Sequence, residues 1–128
     1  MVIASDWKAA KLVERRLLKE VARHGYSEAS VFAIKLALEE GLTNAIRHGN
    51  GSDPAKKVEV AFDVDANRAV ITITDQGKGF DPAAVPDPTA DENLEKPSGR
   101  GIMLMRAYMD QVSYNQRGNQ VVMVKNRS

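Results

Sequence analysis

Apolar residues in the first part of the chain recur at steps of three and four, with charged residues between them, which is typical of amphipathic helices. One stripe predicts a helix over residues 6–23, preceded by a short candidate edge strand at residues 2–4. A second stripe predicts a helix over residues 27–48. The two stripes consist of Ala10, Val13, Leu17 and Val21, and of Val31, Ile34, Leu38, Leu42, Ala45 and Ile46.

Further along the chain the apolar positions alternate with polar ones, which is typical of β-strands. The alternation predicts a hairpin of strands 58–64 and 68–75, and a second hairpin of strands 111–116 and 120–126. A third helix is predicted over residues 101–109, between the hairpins. This order predicts an α+β fold, a two-layer sandwich in which a mostly antiparallel sheet carries helices on one face.

Composition narrows the classes of function. The 128 residues fit one domain spanning the chain, and 43% hydrophobic with 27% charged residues argues against disorder. A net charge of +1 provides no basic field for nucleic acid, so we expect no direct nucleic-acid partner. The absence of cysteine excludes disulfides, thiolate zinc sites and cysteine nucleophiles. With no long apolar run and no signal peptide, we expect a cytoplasmic protein without a membrane partner.

Prolines and glycines are concentrated in one part of the chain. Four of the five prolines lie in residues 82–97, and four of the nine glycines lie in residues 77–101. This region has no sustained hydrophobic period, so it predicts a long loop, which is uncommon in a compact domain unless it has a function.

Three short segments around this loop carry candidate chemistry. In EEGLTNAIRHG, Glu40 and Asn44 are spaced i, i+4 on the second predicted helix, where a carboxylate and an amide oxygen can share a magnesium ion or orient a nucleophile. In ITDQGKGF, Asp75 ends a strand and can accept a hydrogen bond from an exocyclic amine. In PSGRG, glycines open a helix, whose free N–H groups favour a phosphate. Each segment alone also fits ordinary structure.

Together and in this order, EGLTN, DQGKGF and SGRG resemble the N box and the two glycine boxes of the GHKL superfamily of ATP-binding domains, which includes gyrase, histidine kinases and MutL. The continuations TNAIRHG and MRAYMD resemble the anti-sigma factor serine/threonine-protein kinases of that superfamily. The resemblance covers nearly the whole chain and implies the Bergerat, or histidine-kinase-like ATPase, fold. It also implies ATP and Mg²⁺ as cofactors.

The resemblance assigns roles to single residues. Glu40 would be the general base for the attacking hydroxyl, and Asn44 would supply its amide oxygen to Mg²⁺. Asp75 would bind the adenine amino group. The first glycine box, with Gly77, Gly79 and Phe80, would shape the nucleotide pocket. The second box would bring its N–H groups to the phosphates, and it consists of Ser98, Gly99, Arg100 and Gly101.

Residues 80–98 then become a candidate ATP lid between the two glycine boxes. One departure from the pattern concerns the phosphates, because Pro97 occupies the position where the kinase branch is expected to carry an arginine. Lys78, Lys96 and Arg100 are the cations available in its place. His48, at the end of the second predicted helix, is expected to cap the last carbonyls, and contact with the nucleotide is the alternative.

The implied function is phosphorylation of a STAS-domain anti-sigma factor antagonist by a protein that also binds a sigma factor, with a homodimer left open. A second hypothesis is a nucleotide-binding module that binds partner proteins without kinase turnover, and the missing arginine motivates it. A histidine-kinase catalytic domain is a third, although the first predicted helix has no well-placed phosphoacceptor histidine, since His24 comes at its end. Ordinary structure unrelated to ATP is the fourth.

Overall fold

The computed structural model describes residues 1–51, 53, 55–77 and 97–127, with the backbone alone for residues 97–102. Within these ranges the strands form one five-stranded sheet in the order β1-β2-β3-β5-β4, and every neighbouring pair is antiparallel. The strands are β1 (Val2–Ala4), β2 (Lys57–Val64), β3 (Arg68–Asp75), β4 (Gln111–Tyr114) and β5 (Gln120–Asn126).

The strands bury one face of the sheet because apolar residues occupy every second position. Ile73 of β3 pairs with Val60 of β2 on one side and with Val121 of β5 on the other, and all three side chains are buried. These residues join one core cluster with apolar residues of the helices, including Leu17, Leu38 and Met105. The helices therefore cover the buried face, which confirms the predicted α+β sandwich.

Two N-terminal helices begin at polar caps. α1 (Trp7–Arg23) begins after Asp6, whose carboxylate accepts a hydrogen bond from Ala9 N at 2.8 Å. α2 (Glu28–Thr43) begins after Ser27, whose hydroxyl accepts from Ser30 N at 3.1 Å. Side-chain caps of this kind satisfy N–H groups that have no partner within the helix.

The chain is helical as far as Gly49, which agrees with the predicted extent of the second helix, but its last turn differs in type: α2 ends at Thr43 and a π-helical turn follows over Asn44–Gly49. Its wider hydrogen bonding is seen at the end, where Asn50 N donates to Ala45 O at 2.8 Å. Single π turns are frequent at functional sites because they reorient side chains within a helix. This turn will be called the π segment.

The third helix, α3, spans Pro97–Tyr108 and begins four residues before the predicted start at Gly101. Proline is tolerated in the first helical turn, where an N–H group would lack a partner, so Pro97 does not delay the helix. β4 ends at Tyr114, short of the predicted residue 116, because Asn115 starts a turn in which its side chain accepts from Gly118 N at 2.7 Å. In the part of the chain described, no helix has the length and hydropathy needed to cross a membrane.

Candidate functional site

A pocket of about 270 Å³ opens where the π segment meets the end of β3 and the turn between β4 and β5. The polar side chains of the pocket come from four parts of the fold, namely the π segment, β3, β4 and the turn between β4 and β5. Its polar wall comprises Asn44, His48, Asp75, Tyr114 and Asn119. Two of the residues predicted from the sequence, Asn44 and Asp75, thus line one pocket although they are far apart in the chain.

Asn44 is the first residue of the π segment, and both polar atoms of its side chain are buried. Neither atom makes a well-formed hydrogen bond to the described residues. A buried amide without full hydrogen bonding costs free energy, so this side chain is poised to bind a polar ligand. Mg²⁺ prefers oxygen ligands, and the buried Oδ1 of Asn44 fits such a role.

Tyr114 of β4 lies beside the Asn44 amide and was not predicted as a site residue. Burial raises the pKa of its hydroxyl to about 12, although the neighbouring Asn44 side chain and Arg106 act in the opposite direction. The hydroxyl therefore stays protonated at neutral pH. Alternation in β4 predicts that Val112 and Tyr114 face inward, but it does not predict that the hydroxyl lies next to the Asn44 side chain.

Asp75 ends β3 and is half-buried in the pocket wall. Its Oδ1 accepts a hydrogen bond from Gly77 N at 2.8 Å, and Asn119 binds its backbone through two hydrogen bonds of 2.9 and 3.1 Å. Burial raises the pKa of the carboxyl, while Gly77 N–H, Arg117 and Lys56 lower it in part. A carboxylate held this way, with capacity left to accept hydrogen bonds, fits an amine donor such as that of adenine.

Two glycines allow this carboxylate to lie against the π segment. A Cβ atom at Gly49 would overlap the Asp75 carboxylate, and a Cβ atom at Gly77 would overlap the carbonyl of Gly49. Arg117 adds a hydrogen bond of 3.0 Å from its guanidinium to the carbonyl of Gly77. Close approach of the two backbones therefore requires glycine at both positions.

Glu40 lies outside this pocket, although the i, i+4 spacing placed it on one face with Asn44. It lines a separate cavity of about 240 Å³ between α1 and α2, with Glu14, Glu39, Lys11 and other residues. Asn44 N still donates to the carbonyl of Glu40, as in an α-helix, so the two residues remain one helical turn apart and the wider turn follows Asn44. In the same cavity, burial and the Glu14 carboxyl raise the pKa of Glu39, which Lys11 and Lys35 partly oppose.

His48 was predicted to cap the carbonyls at the helix end, but the structure places it in the pocket wall. Within the described residues its side chain makes no hydrogen bond. Burial, followed by the Arg47 charge, lowers the pKa of the imidazole, so His48 is neutral at physiological pH.

The remaining predicted site residues fall in the part of the chain that the structure leaves undescribed. Gly79, Phe80, Lys78, Lys96 and the predicted lid up to residue 96 lie outside the described ranges. The backbone of α3 runs through the second glycine box, but the side chains of residues 97–102 lie outside the description. The roles of these residues stay predictions.

Comparison with known proteins identifies this arrangement. A model of the histidine kinase-like ATPase domain matches residues 4–125. The serine-protein kinase RsbW of Bacillus subtilis is 31% identical over 113 residues, which cover 81% of this chain and 69% of that protein. The anti-sigma F factor of Anoxybacillus flavithermus is 34% identical over 90 residues, covering 68% of this chain and 61% of that protein.

A solved structure supports the fold. The crystal structure of the RsbU and RsbW domains of Rv1364c from Mycobacterium tuberculosis superposes with a TM-score of 0.57 at 17% identity. The match covers 99% of this chain and 31% of that chain. The chain therefore belongs to the family of histidine kinase-like ATPase domains, and its relatives include serine-protein kinases RsbW.

Proposed function

We propose that this protein is a cytoplasmic anti-sigma factor with ATP-dependent serine/threonine-protein kinase activity. The observation that carries the proposal is the pocket in which the buried amide of Asn44 and the half-buried carboxylate of Asp75 face one ligand space. Membership of the histidine kinase-like ATPase family supports ATP as the ligand of that pocket.

In this proposal the two ends of the pocket hold the two ends of ATP. Asp75 accepts a hydrogen bond from the adenine amine, and Asn44 supplies Oδ1 to Mg²⁺ near the phosphates. The magnesium ion neutralises phosphate charge, which is a principal requirement of phosphoryl transfer. Ser98, Gly99, Arg100 and Gly101 supply N–H groups and charge at the start of α3, where a helix favours anions.

Glu40 is the proposed general base. The oxygen of a substrate serine or threonine attacks the γ-phosphorus, the bond to the bridging oxygen of ADP breaks, and the hydroxyl proton passes to the Glu40 carboxylate. Glu40 lines a cavity beside α1 that is separate from the Asn44 pocket. This arrangement supports a substrate hydroxyl that approaches Glu40 from one side while the nucleotide occupies the Asn44 pocket on another.

The proposed substrate is a STAS-domain anti-sigma factor antagonist, and the proposed second partner is a sigma factor. The names of the relatives support both, since one is called a serine-protein kinase and another an anti-sigma F factor. Phosphorylation of the antagonist would then decide which partner the protein holds.

A transfer assay with Mg-ATP labelled at the γ-phosphate tests the kinase proposal. The antagonist should become labelled, and Glu40→Gln should slow labelling by about 100-fold or more, because general base catalysis typically contributes that much. Glu28→Gln, in the first turn of the same helix and exposed, is the matched control and should label at the wild-type rate. Labelling that survives Glu40→Gln would reject Glu40 as the base.

A regulatory module that binds nucleotide and partners without turnover is the second candidate. It is favoured by Pro97, which stands where the kinase branch is expected to carry an arginine. Calorimetry with the sigma factor or the antagonist, with and without nucleotide, tests it. A nucleotide-dependent affinity with no phosphate transfer would establish this candidate, and equal affinities would exclude it.

A further inference from the structure

Asn50 follows the π segment and is a buried polar side chain with 2% exposure. It lies where three chain segments meet, namely the residues before α1, the start of β2 and the turn after β3. Most buried amides make their hydrogen bonds within the fold, so the partners of the Asn50 side chain show which segments it holds together.

The Asn50 side chain makes three hydrogen bonds with short distances. Nδ2 donates to Ser5 Oγ at 2.8 Å and to Lys57 O at 2.9 Å, and Oδ1 accepts from Gln76 N at 2.7 Å. Because a carbonyl can only accept and a backbone N–H can only donate, these partners fix which end of the amide is oxygen. Ser5 is itself anchored by donation from Oγ to Lys56 O at 2.8 Å.

The third of these bonds reaches the nucleotide pocket. Gln76 lies between Asp75 and Gly77. The N–H group of Gly77 donates a hydrogen bond of 2.8 Å to the Asp75 carboxylate. Gly49, directly before Asn50, lies against the same carboxylate. Asn50 is therefore linked to the Asp75 carboxyl in two ways, through the adjacent Gly49 backbone and through the N–H group of Gln76, the residue that follows Asp75.

We propose that Asn50 is a positioning residue that sets the orientation of the Asp75 carboxylate and thereby the recognition of the adenine base. This inference rests on the proposed ATP site. The β1–β2 edge of the sheet holds Asn50 through Ser5 and Lys57, so the orientation of the carboxylate depends on residues that never touch the nucleotide. Gln76 Oε1 accepts from Lys57 N at 2.7 Å and holds the same turn from its other side.

The test compares Asn50→Ala with the wild-type protein by amide hydrogen exchange and by ligand binding. Loss of the acceptor should raise the exchange rate of the Gln76 amide by about tenfold or more, since a buried hydrogen bond is removed. Affinity for Mg-ATP should fall by about tenfold, while affinity for magnesium tripolyphosphate, which lacks the base, should change less than about twofold.

Tyr26→Phe is the matched control, because it removes one hydrogen bond from a buried side chain to a backbone carbonyl, that of Asp65 at 2.9 Å, away from the pocket. It should leave the Gln76 amide and both ligand affinities unchanged. Ser5→Ala is a milder second variant in case Asn50→Ala does not fold, and it should give a smaller rise in Gln76 exchange and a smaller loss of ATP affinity.

Unchanged exchange of the Gln76 amide in both Ser5→Ala and Asn50→Ala would overturn the inference, whatever the ligand data. Equal losses of ATP and tripolyphosphate affinity would also overturn it, because they would indicate general damage. If the wild-type protein binds tripolyphosphate but shows no preference for ATP, the proposed ATP site fails while the Gln76 exchange result still tests Asn50.

Discussion

Asn44 and Asp75 are polar side chains that the fold places in a partly apolar pocket, at a cost in stability. Asn44 has both polar atoms buried without well-formed bonds to the described residues, and burial is the main cause of the raised pKa of Asp75. Polar groups that lower the stability of the fold are typical of binding sites, because a ligand supplies the partner that the protein does not.

Replacement of Asp75 by asparagine should therefore stabilise the protein and weaken ATP binding. The raised pKa means that the folded state holds the carboxyl proton more tightly than the unfolded state. The contribution of Asp75 to stability is thus fully present below its ordinary pKa of 3.8 and is lost as pH rises through the raised value. Asparagine keeps the oxygen that accepts from Gly77 N–H but carries no charge to desolvate.

Urea unfolding at about pH 4 and about pH 7 measures this effect. Asp75→Asn should have a higher unfolding midpoint than wild type at neutral pH, and the gap should shrink at acid pH. Asp63→Asn, on an exposed position of β2, is the control and should show no such gap. A variant at position 75 that is less stable than wild type at neutral pH would contradict this reading of the carboxyl.

Contact between the π segment and the turn after β3 is the element-scale feature that shapes the pocket. Gly77→Ala should force the two backbones apart, because its Cβ would overlap the Gly49 carbonyl. We expect a loss of about 1–3 kcal/mol in the free energy of unfolding, the usual cost of overpacking, together with weakened ATP binding.

Gly25→Ala is a matched control for the same chemical change. Gly25 lies in the turn between α1 and α2 with φ of 75°, so alanine there costs about 1–2 kcal/mol through backbone strain. Nucleotide affinity of this variant should equal that of wild type, because the turn contributes nothing to the pocket wall. Chemical denaturation and calorimetry on both variants separate loss of stability from loss of the site.

The orientation of α3 is tested by two methionines on one helix. Met105 is fully buried in the core, whereas Met103, two residues earlier, is 46% exposed. Met105→Ala should lower the free energy of unfolding by about 2–5 kcal/mol, and Met103→Ala should change it by less than about 0.5 kcal/mol. Equal effects in thermal or urea unfolding would show that α3 packs in another orientation.

For the molecule as a whole, the spacing of apolar residues along the chain predicted the fold, because each helix and strand buries one face. Alternation in β2, β3 and β5 is what aligns Val60, Ile73 and Val121 under the helices, and this is a local property of the sequence. The π segment was not predicted, since a stripe with steps of three and four does not distinguish an α turn from a wider one. The start of α3 was missed because proline and glycines indicated a loop.

The candidate site was predictable only in part. Asn44 and Asp75 belong to motifs whose order along the chain resembles a known family. That resemblance implied one shared site, and the two residues line one pocket. Tyr114, Asn119 and Asn50 act through contacts between residues distant in sequence, and no local pattern marks such contacts. The i, i+4 relation of Glu40 and Asn44 is kept in the structure, but that spacing does not show which cavity each side chain lines.

Binding of Mg-ATP to the whole protein tests the central claim most directly. Calorimetric titration should show binding to wild type and to Lys8→Ala, an exposed control on α1. Asn44→Ala should weaken binding by about tenfold or more, and removal of the metal with EDTA should weaken wild-type binding to a similar degree. Absence of binding by wild type, or equal affinities of wild type and Asn44→Ala, would contradict the account.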